Sequence, residues 1–203
     1  MSVTGELARL GAATVYEASG REGLVDAEFK RLVPRSRACG PARIALCAQD
    51  DNLMVHAVME RLQPGEVLVL CMPEPRPVAL LGDLLLTQAV ARGAAAVLVD
   101  AAVRDSEELS QMAVPVWSRW IRSRGAAKET AGQLDVPVVI GGWEIRPGDL
   151  VVLDADGVTV VDAARADEVL EASLAREAKE ADKRAQLEAG ALSFRLDGLD
   201  ARV

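Results

Sequence analysis

Residues 64–103, PGEVLVLCMPEPRPVALLGDLLLTQAVARGAAAVLVDAAV, set the fold class of this chain. Val67–Met72 is continuously apolar, which predicts a buried strand. Leu80–Arg92 has apolar residues at helical spacing, and Gly93 follows as a residue that commonly ends a helix. Ala94–Asp100 is again continuously apolar up to its last residue and predicts a second buried strand. Strand, helix and strand in this order are typical of an α/β fold.

Further elements are predicted on both sides of this stretch, with residues 20–42 as a loop-rich segment. Apolar spacing predicts helices over Thr4–Ser19 capped by Thr4, Leu53–Leu62, Ser106–Met112 capped by Ser106, and Asp162–Glu188 ended by Gly190. Apolar runs predict strands at Arg43–Ala48, Pro115–Ser118 and Val136–Ile140, and a hairpin of Leu150–Leu153 and Val158–Val161. Because a hairpin is antiparallel, the expected fold is a compact α/β sandwich with a mixed central sheet, flanking helices and a long C-terminal helix.

The last predicted helix has two halves of different character. Its first half carries an apolar stripe, whereas Arg176–Arg184 is charged nearly all round. Such a half-helix either lies in solvent with ion pairs four residues apart, or docks on another subunit. We expect residues 1–203 to form one domain, with 162–190 as a helix that reaches a neighbouring subunit.

Composition excludes several classes of protein. The chain has 203 residues, half of them apolar, which is enough to bury a core and argues against disorder. The net charge of −8 and the 3% aromatic content argue against nucleic-acid binding. The apolar run Ala94–Val103 is too short to span a bilayer, and the first residues have no signal-peptide pattern. We therefore expect a cytoplasmic protein with neither a nucleic acid nor a membrane as its partner.

The usual cysteine and histidine chemistry is nearly absent. Cys39, Cys47 and Cys71 have no close spacing, which argues against a zinc site or a disulfide framework. The single histidine, His56, falls in a predicted helix, and we expect a structural role for it. Carboxylates, arginines or a metal would therefore carry any chemistry.

Two short motifs are candidates for a site. Gly82 and Asp83 open a predicted helix, where free backbone N–H groups suit a carboxylate or phosphate, although Asp83 could equally be an ordinary first-turn acid. Arg104 and Asp105 follow a strand, where ligands of α/β sheets bind. Arg104 could hold a carboxylate and Asp105 a hard divalent cation, or the two could form a surface ion pair.

A run of cations lies in the segment from Gln111 to Lys128, which contains no acid. Its members are Arg119, Arg122, Arg124 and Lys128. In an acidic protein this run indicates either a funnel for a small polyanion or solvated arginines on a loop. Lys179 and Lys183 lie in the charged helix, and Lys30 and Lys128 have charged neighbours, so no lysine is expected to be desolvated enough for a Schiff base. An enolate-forming reaction would therefore need Mg²⁺ or Mn²⁺ with oxygen ligands.

A series of motifs, in this order and spacing, covers nearly the whole chain. They are Thr14–Ala18, Gly40–Ala42, Asp51–Leu53, Leu81–Leu85, Val103–Asp105, Arg124–Gly125, Val136–Val139 and the charged end of the last helix. With them the chain resembles the class II 4-hydroxy-4-methyl-2-oxoglutarate / 4-carboxy-4-hydroxy-2-oxoadipate aldolases. That family shares its fold with the regulator of ribonuclease E activity A.

The resemblance implies trimers or hexamers with active sites between subunits. The backbone N–H groups of Gly82, Asp83, Leu84 and Leu85 would bind the carboxylate of the pyruvyl part of the substrate. Arg104 would hold the keto oxygen and stabilise the enolate. Asp105 would ligate Mg²⁺ or Mn²⁺ directly.

The remaining implied roles concern protons and water. Asp83 would orient a metal-bound water that returns a proton to the enolate. Glu180 of a neighbouring subunit, and with it Glu17, would support the waters on the metal. The family usually has Asp-Gly before the Arg-Asp pair, whereas this chain has Ala101 and Ala102, which puts efficiency and substrate choice in doubt.

The expected reaction is metal-dependent retro-aldol cleavage of 4-hydroxy-2-oxo di- or tricarboxylic acids. It would yield pyruvate with oxaloacetate or a second pyruvate, and oxaloacetate decarboxylation would be a side activity. The alternatives are a dedicated oxaloacetate decarboxylase and a non-catalytic regulator that acts by protein contact.

Overall fold

The computed structural model describes residues 2–203, and the elements below are those of that range. The helices are α1 (Val3–Leu10), α2 (Ala12–Ala18), α3 (Leu53–Val58), α4 (Asp83–Ala91), α5 (Ser106–Leu109), α6 (Ala166–Glu188) and α7 (Ser193–Leu196). The strands are β1 (Lys30–Arg31), β2 (Ala38–Leu46), β3 (Val67–Cys71), β4 (Ala79–Leu81), β5 (Ala96–Val103), β6 (Val116–Ile121), β7 (Gln133–Leu134), β8 (Val138–Ile140), β9 (Trp143–Ile145), β10 (Leu150–Leu153) and β11 (Val158–Val161).

Nine of these strands form one mixed sheet in the order β1-β6-β5-β3-β2-β10-β11, with β4 against β5 and β7 against β2. The strands pair in parallel in β2–β3, β3–β5, β4–β5 and β5–β6. They pair antiparallel in β1–β6, β2–β7, β2–β10 and β10–β11. Every residue of β3 and β5 is buried, which explains their continuous apolar sequence. The predicted α/β fold with a mixed central sheet, flanking helices and a long C-terminal helix is confirmed.

The parallel strands end side by side at one edge of the sheet. Leu81 of β4 pairs with Val103 of β5, which in turn pairs with Ile121 of β6. The segments that follow these strands therefore meet at that edge. This is where ligands bind in open α/β sheets.

The prediction of one helix over Thr4–Ser19 with Thr4 as its cap was wrong, because the structure has two helices, α1 and α2, and a different cap. Gly11 adopts a φ of 86° between α1 and α2, and the hydroxyl of Ser2, not Thr4, accepts the capping hydrogen bond from the Gly5 N–H. A Cβ at Gly11 would lie 2.6 Å from Oδ2 of Asp154, which accepts a hydrogen bond from the Ala12 N–H. The break therefore depends on a contact with the distant β10–β11 hairpin.

Two other predicted helices begin or end elsewhere. The first residues of Leu80–Arg92 belong to strand β4, and the helix starts only after Gly82. α5 ends at Leu109, and it is preceded by Asp105 with a φ of 55° and no side-chain cap, so the prediction of Ser106 as cap was wrong.

The remaining differences are shifts of strand and helix ends. β2 begins at Ala38 and includes Gly40. A Cβ at Gly40 would lie 2.2 Å from the carbonyl oxygen of Gly65, so this position of the strand requires glycine. α3 ends at Val58, and β6 continues to Ile121. The hairpin strands have the predicted ends, as does α6 at Glu188. Within residues 2–203, no helix combines the length and the apolar character that a membrane crossing requires.

Candidate active site

A cleft of about 130 Å³ lies at the carboxyl edge of β4, β5 and β6. It is small compared with the roughly 300–1,000 Å³ of sites for drug-sized ligands, and therefore suits a small ligand. Its lining combines the start of α4, the end of β5, the start of α3 and the segment after β6. The lining residues are Asn52, His56, Ala79, Leu81, Gly82, Asp83, Leu84, Leu85, Arg104, Gly125, Ala126 and Lys128.

The start of α4 presents unpaired N–H groups at the cleft. The first hydrogen bond within this helix runs from the Leu86 N–H to the Gly82 carbonyl, so the N–H groups of Leu84 and Leu85 precede it. Gly82 has an extended backbone and precedes the helix without a side chain. The N–H groups of Leu84 and Leu85 are therefore available to a carboxylate, and the helix dipole adds a partial positive charge there, whereas the Asp83 N–H, also predicted as a donor to the substrate, is bound by Asp105.

Gly82 also allows Arg104 and Asp105 to approach the helix start. A Cβ at Gly82 would lie 2.5 Å from Oδ2 of Asp105 and 3.2 Å from Nε of Arg104. The same Oδ2 accepts a hydrogen bond from the Asp83 N–H at 3.2 Å. Any side chain at position 82 would therefore displace the two charged residues.

The Arg104 guanidinium projects into the cleft from a backbone that is held in place. Its N–H donates to the Leu81 carbonyl at 3.0 Å, which continues the pairing of β4 and β5. Its side chain is 52% exposed, and Nε lies 3.5 Å from Oδ2 of Asp105. A Cβ at Gly125 would lie 3.1 Å from the Nη1 atom. The guanidinium thus lies between Gly82 and Gly125 with most of its donors free.

Asp105 lies on the other side of Arg104, in a shallow depression that Ile121, Arg122 and Ser123 also line. Its left-handed backbone, with a φ of 55°, turns the chain sharply after β5. This places the carboxylate against the start of α4 and leaves it about one-third exposed.

The donor set fits a hydrated hard cation. Asp105, which contacts the start of α4, offers a partly exposed carboxylate. Asp83, the first residue of α4, offers a second carboxylate. No group of three or more His, Cys, Asp or Glu side chains is arranged for metal binding among residues 2–203. A carboxylate-poor site of this kind suits Mg²⁺, which keeps several waters, and argues against Zn²⁺.

The α3 wall of the cleft was missed by sequence reasoning. Helix α3 brings Asn52 and His56 into the lining, one helical turn apart. The Nε2 atom of His56 and the Oδ1 atom of Asn52 are buried without a hydrogen-bond partner among the described residues. Burial lowers the pKa of His56, and Lys128 lowers it further, so the ring is neutral at pH 7. The spacing of Asn52 and His56 was the available signal, but periodicity alone cannot tell a core face from a cleft wall.

Asp51 fixes the start of α3 to the segment that follows Lys128. Its carboxylate accepts hydrogen bonds from the backbone N–H groups of Leu53, Glu129 and Thr130 at 2.7–2.9 Å. Burial raises the pKa of Asp51, but these hydrogen bonds and the nearby Lys128 outweigh it and leave the pKa below its usual value. The carboxylate therefore has a structural role, because its hydrogen bonds join the start of α3 to the segment after Lys128, and both line the cleft.

The two acids expected to come from another subunit lie outside this cleft. Arg176 of α6 contacts both of them, at 2.8 Å from Oε1 of Glu180 and 3.9 Å from Oε2 of Glu17. Neither glutamate lines the cleft of its own chain. With Arg176 and with Arg21, whose Nε lies 3.2 Å from Oε2 of Glu17, they form one ion-pair cluster, on the part of the chain where α6 packs against α1 and α2.

The predicted funnel of cations is wrong for Arg119. This side chain forms an ion pair with the buried Asp100 and lies over the rings of Phe29 and Trp120. Lys128 lines the cleft, and Arg122 lines the depression beside Asp105. Only part of the positive run is therefore directed at the candidate site.

The two alanines that replace the usual glycine fit their positions. Ala101 and Ala102 are fully buried in β5, next to an irregularity in its pairing with β6. Neither has a positive φ, and the left-handed residue of this turn is Asp105. Alanine is therefore accommodated without backbone strain.

Comparison with known proteins agrees with this geometry. The model of the RraA-like family, described as Aldolase/RraA, matches residues 12–160. A Halalkalibacterium halodurans protein provisionally named 4-hydroxy-4-methyl-2-oxoglutarate aldolase is 35% identical over 74% of this chain and 71% of its own. A Thermus thermophilus protein with the name 4-hydroxy-4-methyl-2-oxoglutarate aldolase is 35% identical over 66% of this chain and 80% of its own.

A solved structure extends the likeness to most of the chain. The crystal structure of Streptomyces coelicolor RraAS2, described as an unusual member of the RNase ES inhibitor RraA protein family, has a TM-score of 0.78 at 30% identity. The match covers 90% of this chain and 95% of that one.

Proposed function

This chain belongs to the RraA-like family, and from that premise we propose that it is a divalent-metal-dependent aldolase. The reaction is retro-aldol cleavage of 4-hydroxy-2-oxo di- or tricarboxylic acids, with 4-hydroxy-4-methyl-2-oxoglutarate or 4-carboxy-4-hydroxy-2-oxoadipate as substrate. The products are pyruvate and either a second pyruvate or oxaloacetate. Oxaloacetate decarboxylation is a side activity, because it passes through the same enolate.

One observation carries this proposal. The start of α4, the guanidinium of Arg104 and the carboxylate of Asp105 meet around Gly82: Oδ2 of Asp105 accepts a hydrogen bond from the Asp83 N–H at 3.2 Å and lies 3.5 Å from Nε of Arg104. A 2-oxo acid has a carboxylate next to a keto oxygen, and the N–H groups and the guanidinium are complementary to that pair. The carboxylate of Asp105 beside them is an oxygen ligand for a hard cation.

Each residue has a task in the bond-breaking step. The N–H groups of Leu84 and Leu85 bind the substrate carboxylate and orient the C3–C4 bond. A base takes the proton of the C4 hydroxyl through water, the C4 oxygen becomes the carbonyl of the second product, and the C3–C4 bond breaks with its electron pair moving into the enolate of pyruvate. Arg104 stabilises the negative charge that develops on the former keto oxygen. Asp83, at the helix start, is positioned to relay a proton through water to C3, which completes pyruvate.

Asp105 is the residue that would hold Mg²⁺ or Mn²⁺ directly, with Asp83 as the second acid nearby. A divalent cation bound there supplies Lewis acidity to the 2-oxo group. The left-handed backbone of Asp105 supports this role, because it aims the carboxylate beside Arg104 and away from α5.

The complete site draws on a second copy of the chain in a trimer or hexamer. Leu84, which lines the cleft, is 74% exposed and is therefore accessible to another subunit. Arg176 holds Glu17 and Glu180 together in one ion-pair cluster. These two glutamates of a neighbouring subunit supply the acids that the cleft of one chain lacks.

The test is pyruvate release from the purified protein with three substrates in parallel. These are the two hydroxy-oxo acids named above and oxaloacetate, each with Mg²⁺, with Mn²⁺ and with excess chelator. The variant Asp105→Asn keeps a residue type that tolerates the left-handed backbone while removing the charge. Asp200→Asn, at an exposed position outside α6, is the matched control.

Metal-dependent cleavage of a hydroxy-oxo acid that is lost in Asp105→Asn and kept in Asp200→Asn supports the proposal. Turnover of oxaloacetate alone would indicate a dedicated decarboxylase. No turnover of any of the three would exclude the catalytic assignment and favour a regulator that acts by protein contact.

A further inference from the structure

His56 is the single histidine of the chain, and it lies on the α3 wall of the cleft. Its side chain is half-buried, and its Nε2 atom is buried without a hydrogen-bond partner among residues 2–203. A buried nitrogen without a partner is costly, so a ligand or water that brings a hydrogen bond to it is stabilised there. The groups assigned to the substrate carboxylate, the keto oxygen and the metal leave this ring unused.

The retro-aldol step needs a base for the C4 hydroxyl, and few groups of the cleft can act as one. The titratable side chains of its lining are those of His56, Asp83, Arg104 and Lys128. A guanidinium and an ammonium are donors only and accept no proton. Asp83 lies at the start of α4, where the proton returns to C3. His56 is therefore the group that remains for the C4 hydroxyl.

The arrangement of the walls agrees with this assignment. The pyruvyl part of the substrate occupies the start of α4 and the guanidinium of Arg104, which lies between Gly82 and Gly125. C4 and its hydroxyl extend from there toward the remaining wall of the cleft, which is α3 with His56.

The charges that share the cleft with His56 keep its ring neutral. Burial lowers the pKa of His56, and the positive charge of Lys128 lowers it further. Arg104 and Asp83 line the other walls, and the carboxylate of Asp51, just before α3, is occupied by three backbone N–H groups. Lys128 is therefore the charge that acts on the ring.

The two strands packed against α3 add no free charge. β2 carries Cys39 and Arg43 and is followed by Cys47, and β7 has no titratable residue. Burial raises the pKa of both thiols to about 12, so they are neutral, and Arg43 is paired with Glu66. The ring is thus available as an unprotonated base at neutral pH.

Resting on the proposed function, we infer that His56 is the base of the retro-aldol step. The proton of the C4 hydroxyl passes through water to the imidazole, the C4 oxygen becomes a carbonyl, and the C3–C4 electron pair moves into the enolate of pyruvate. C3 then takes a proton through the water that Asp83 positions, and the imidazolium releases its proton to solvent. Lys128 favours this release, because like charges repel.

Two reactions that share the enolate separate this role from a structural one. Cleavage of 4-hydroxy-4-methyl-2-oxoglutarate requires loss of the C4 hydroxyl proton, whereas decarboxylation of oxaloacetate releases CO2 and involves no such proton. In His56→Gln we expect kcat for cleavage to fall about 10²- to 10⁴-fold, the usual contribution of a general base. With Mg²⁺ present, kcat for decarboxylation should change less than about twofold. Exchange of the C3 protons of pyruvate in D2O, followed by NMR, is a second reaction without a C4 hydroxyl and should also persist.

The pH dependence of the wild type is a measurement that needs no variant. Because the pKa of His56 is lowered, kcat for cleavage should fall only as the pH drops below the usual histidine value of about 6.5. This acid limb arises because a protonated ring accepts no proton. It should be absent from the decarboxylation profile and from the residual cleavage of His56→Gln.

Two further variants complete the design. Glu60→Gln, at an exposed position beyond the end of α3 and outside the cleft lining, is the matched control and should leave both reactions unchanged. His56→Ala should regain part of its cleavage activity when imidazole is added, because free imidazole supplies the missing base. A thermal melt of each variant establishes that it is folded.

The outcomes separate this inference from the proposed function. If His56→Gln lowers cleavage and decarboxylation equally, or leaves cleavage unaffected, His56 is not the base while the proposed function stands. If neither His56 variant is folded, the wild-type profiles decide, and the same acid limb in both reactions overturns the inference. If the wild type cleaves no hydroxy-oxo acid with Mg²⁺ or Mn²⁺, the proposed function fails and this inference fails with it.

Discussion

Oδ2 of Asp105 accepts a hydrogen bond from the backbone N–H of Asp83 at 3.2 Å. The bond joins the residue that follows β5 to the first residue of α4, and it is possible because Gly82 has no side chain. An otherwise free N–H at the helix start thereby fixes the orientation of a carboxylate. The candidate metal ligand and the candidate carboxylate cradle are thus parts of one hydrogen-bonded unit.

Gly82→Ala tests this unit. The backbone of Gly82 is accessible to alanine, but the new Cβ would lie 2.5 Å from Oδ2 of Asp105 and must displace it. We expect pyruvate release to fall about 100-fold, which is the effect of a displacement of about 1 Å in a catalytic group. Steady-state kinetics and a thermal melt on the same preparation separate loss of activity from loss of folding.

Gly5→Ala is the control for this substitution. Gly5 is exposed within α1, where a Cβ would meet only the hydroxyl of Ser2, at 3.2 Å. Activity should be unchanged, and the free energy of unfolding should change by less than about 1 kcal/mol, because the helix propensity of alanine opposes the displacement of the Ser2 hydroxyl that caps α1. Wild-type activity in Gly82→Ala would show that the contact between Asp105 and the helix start is unimportant.

Mixing two inactive variants tests whether the site is shared between subunits. Arg104→Lys removes the guanidinium from the cleft, and Glu180→Gln removes the carboxylate that is paired with Arg176. We expect each variant alone to be nearly inactive, and a mixture after subunit exchange to recover part of the activity. Recovery arises because some mixed sites combine an intact cleft with an intact Glu180. Pyruvate release is measured as a function of the mixing ratio.

Glu171→Gln is the matched control for that experiment, because Glu171 is exposed on the same helix and forms no ion pair. It should be active alone. If mixtures of the two inactive variants stay inactive at every ratio, Glu180 acts within its own chain or has no part in the reaction.

Asp51→Asn should destabilise the protein in a pH-dependent manner. The carboxylate is 2% exposed and accepts three backbone hydrogen bonds, and hydrogen bonds to charged groups contribute about 1.5–3 kcal/mol. Because the folded-state pKa is lowered, this stabilisation is fully present above the usual aspartate pKa of about 3.9. It is lost as the pH falls through the lower folded-state value.

Urea unfolding at neutral and acidic pH measures this effect. The difference in the free energy of unfolding between wild type and Asp51→Asn should be largest at pH 7. It should shrink below about pH 3.9. A difference that stays constant over this range would mean that the charge of Asp51 does not contribute. Asp182→Asn, with an exposed side chain, should show no difference at either pH.

Arg119→Met should destabilise the fold, because it leaves Asp100 without its partner. Asp100 is 2% exposed, and burial raises its pKa although Arg119 opposes the shift. Removing one member of a buried ion pair costs about 3–5 kcal/mol. The double variant Asp100→Asn, Arg119→Met should recover much of this loss, as measured by urea unfolding. If the double variant is no more stable than the single one, the ion pair is not the cause of the loss.

Local sequence patterns were sufficient to predict the elements whose burial they reflect. Val67–Met72 and Ala94–Asp100 are apolar throughout because their strands are buried on both faces, and the structure contains both with shifted ends. The β10–β11 hairpin and the end of α6 were predicted at the observed residues. The motifs at Gly82 and Arg104 were also identifiable from sequence, because a helix start and a strand end are local features.

The arrangement of these elements around the cleft depends on contacts between residues far apart in the chain. Gly11 interrupts the first helix because Asp154 packs against it, and Arg119 leaves the cleft because Asp100 binds it. The sequence around His56 predicts a structural role, whereas in the structure His56 and Lys128 line the same cleft. Periodicity records which face of an element is buried, but the order of the strands in the sheet decides which faces meet.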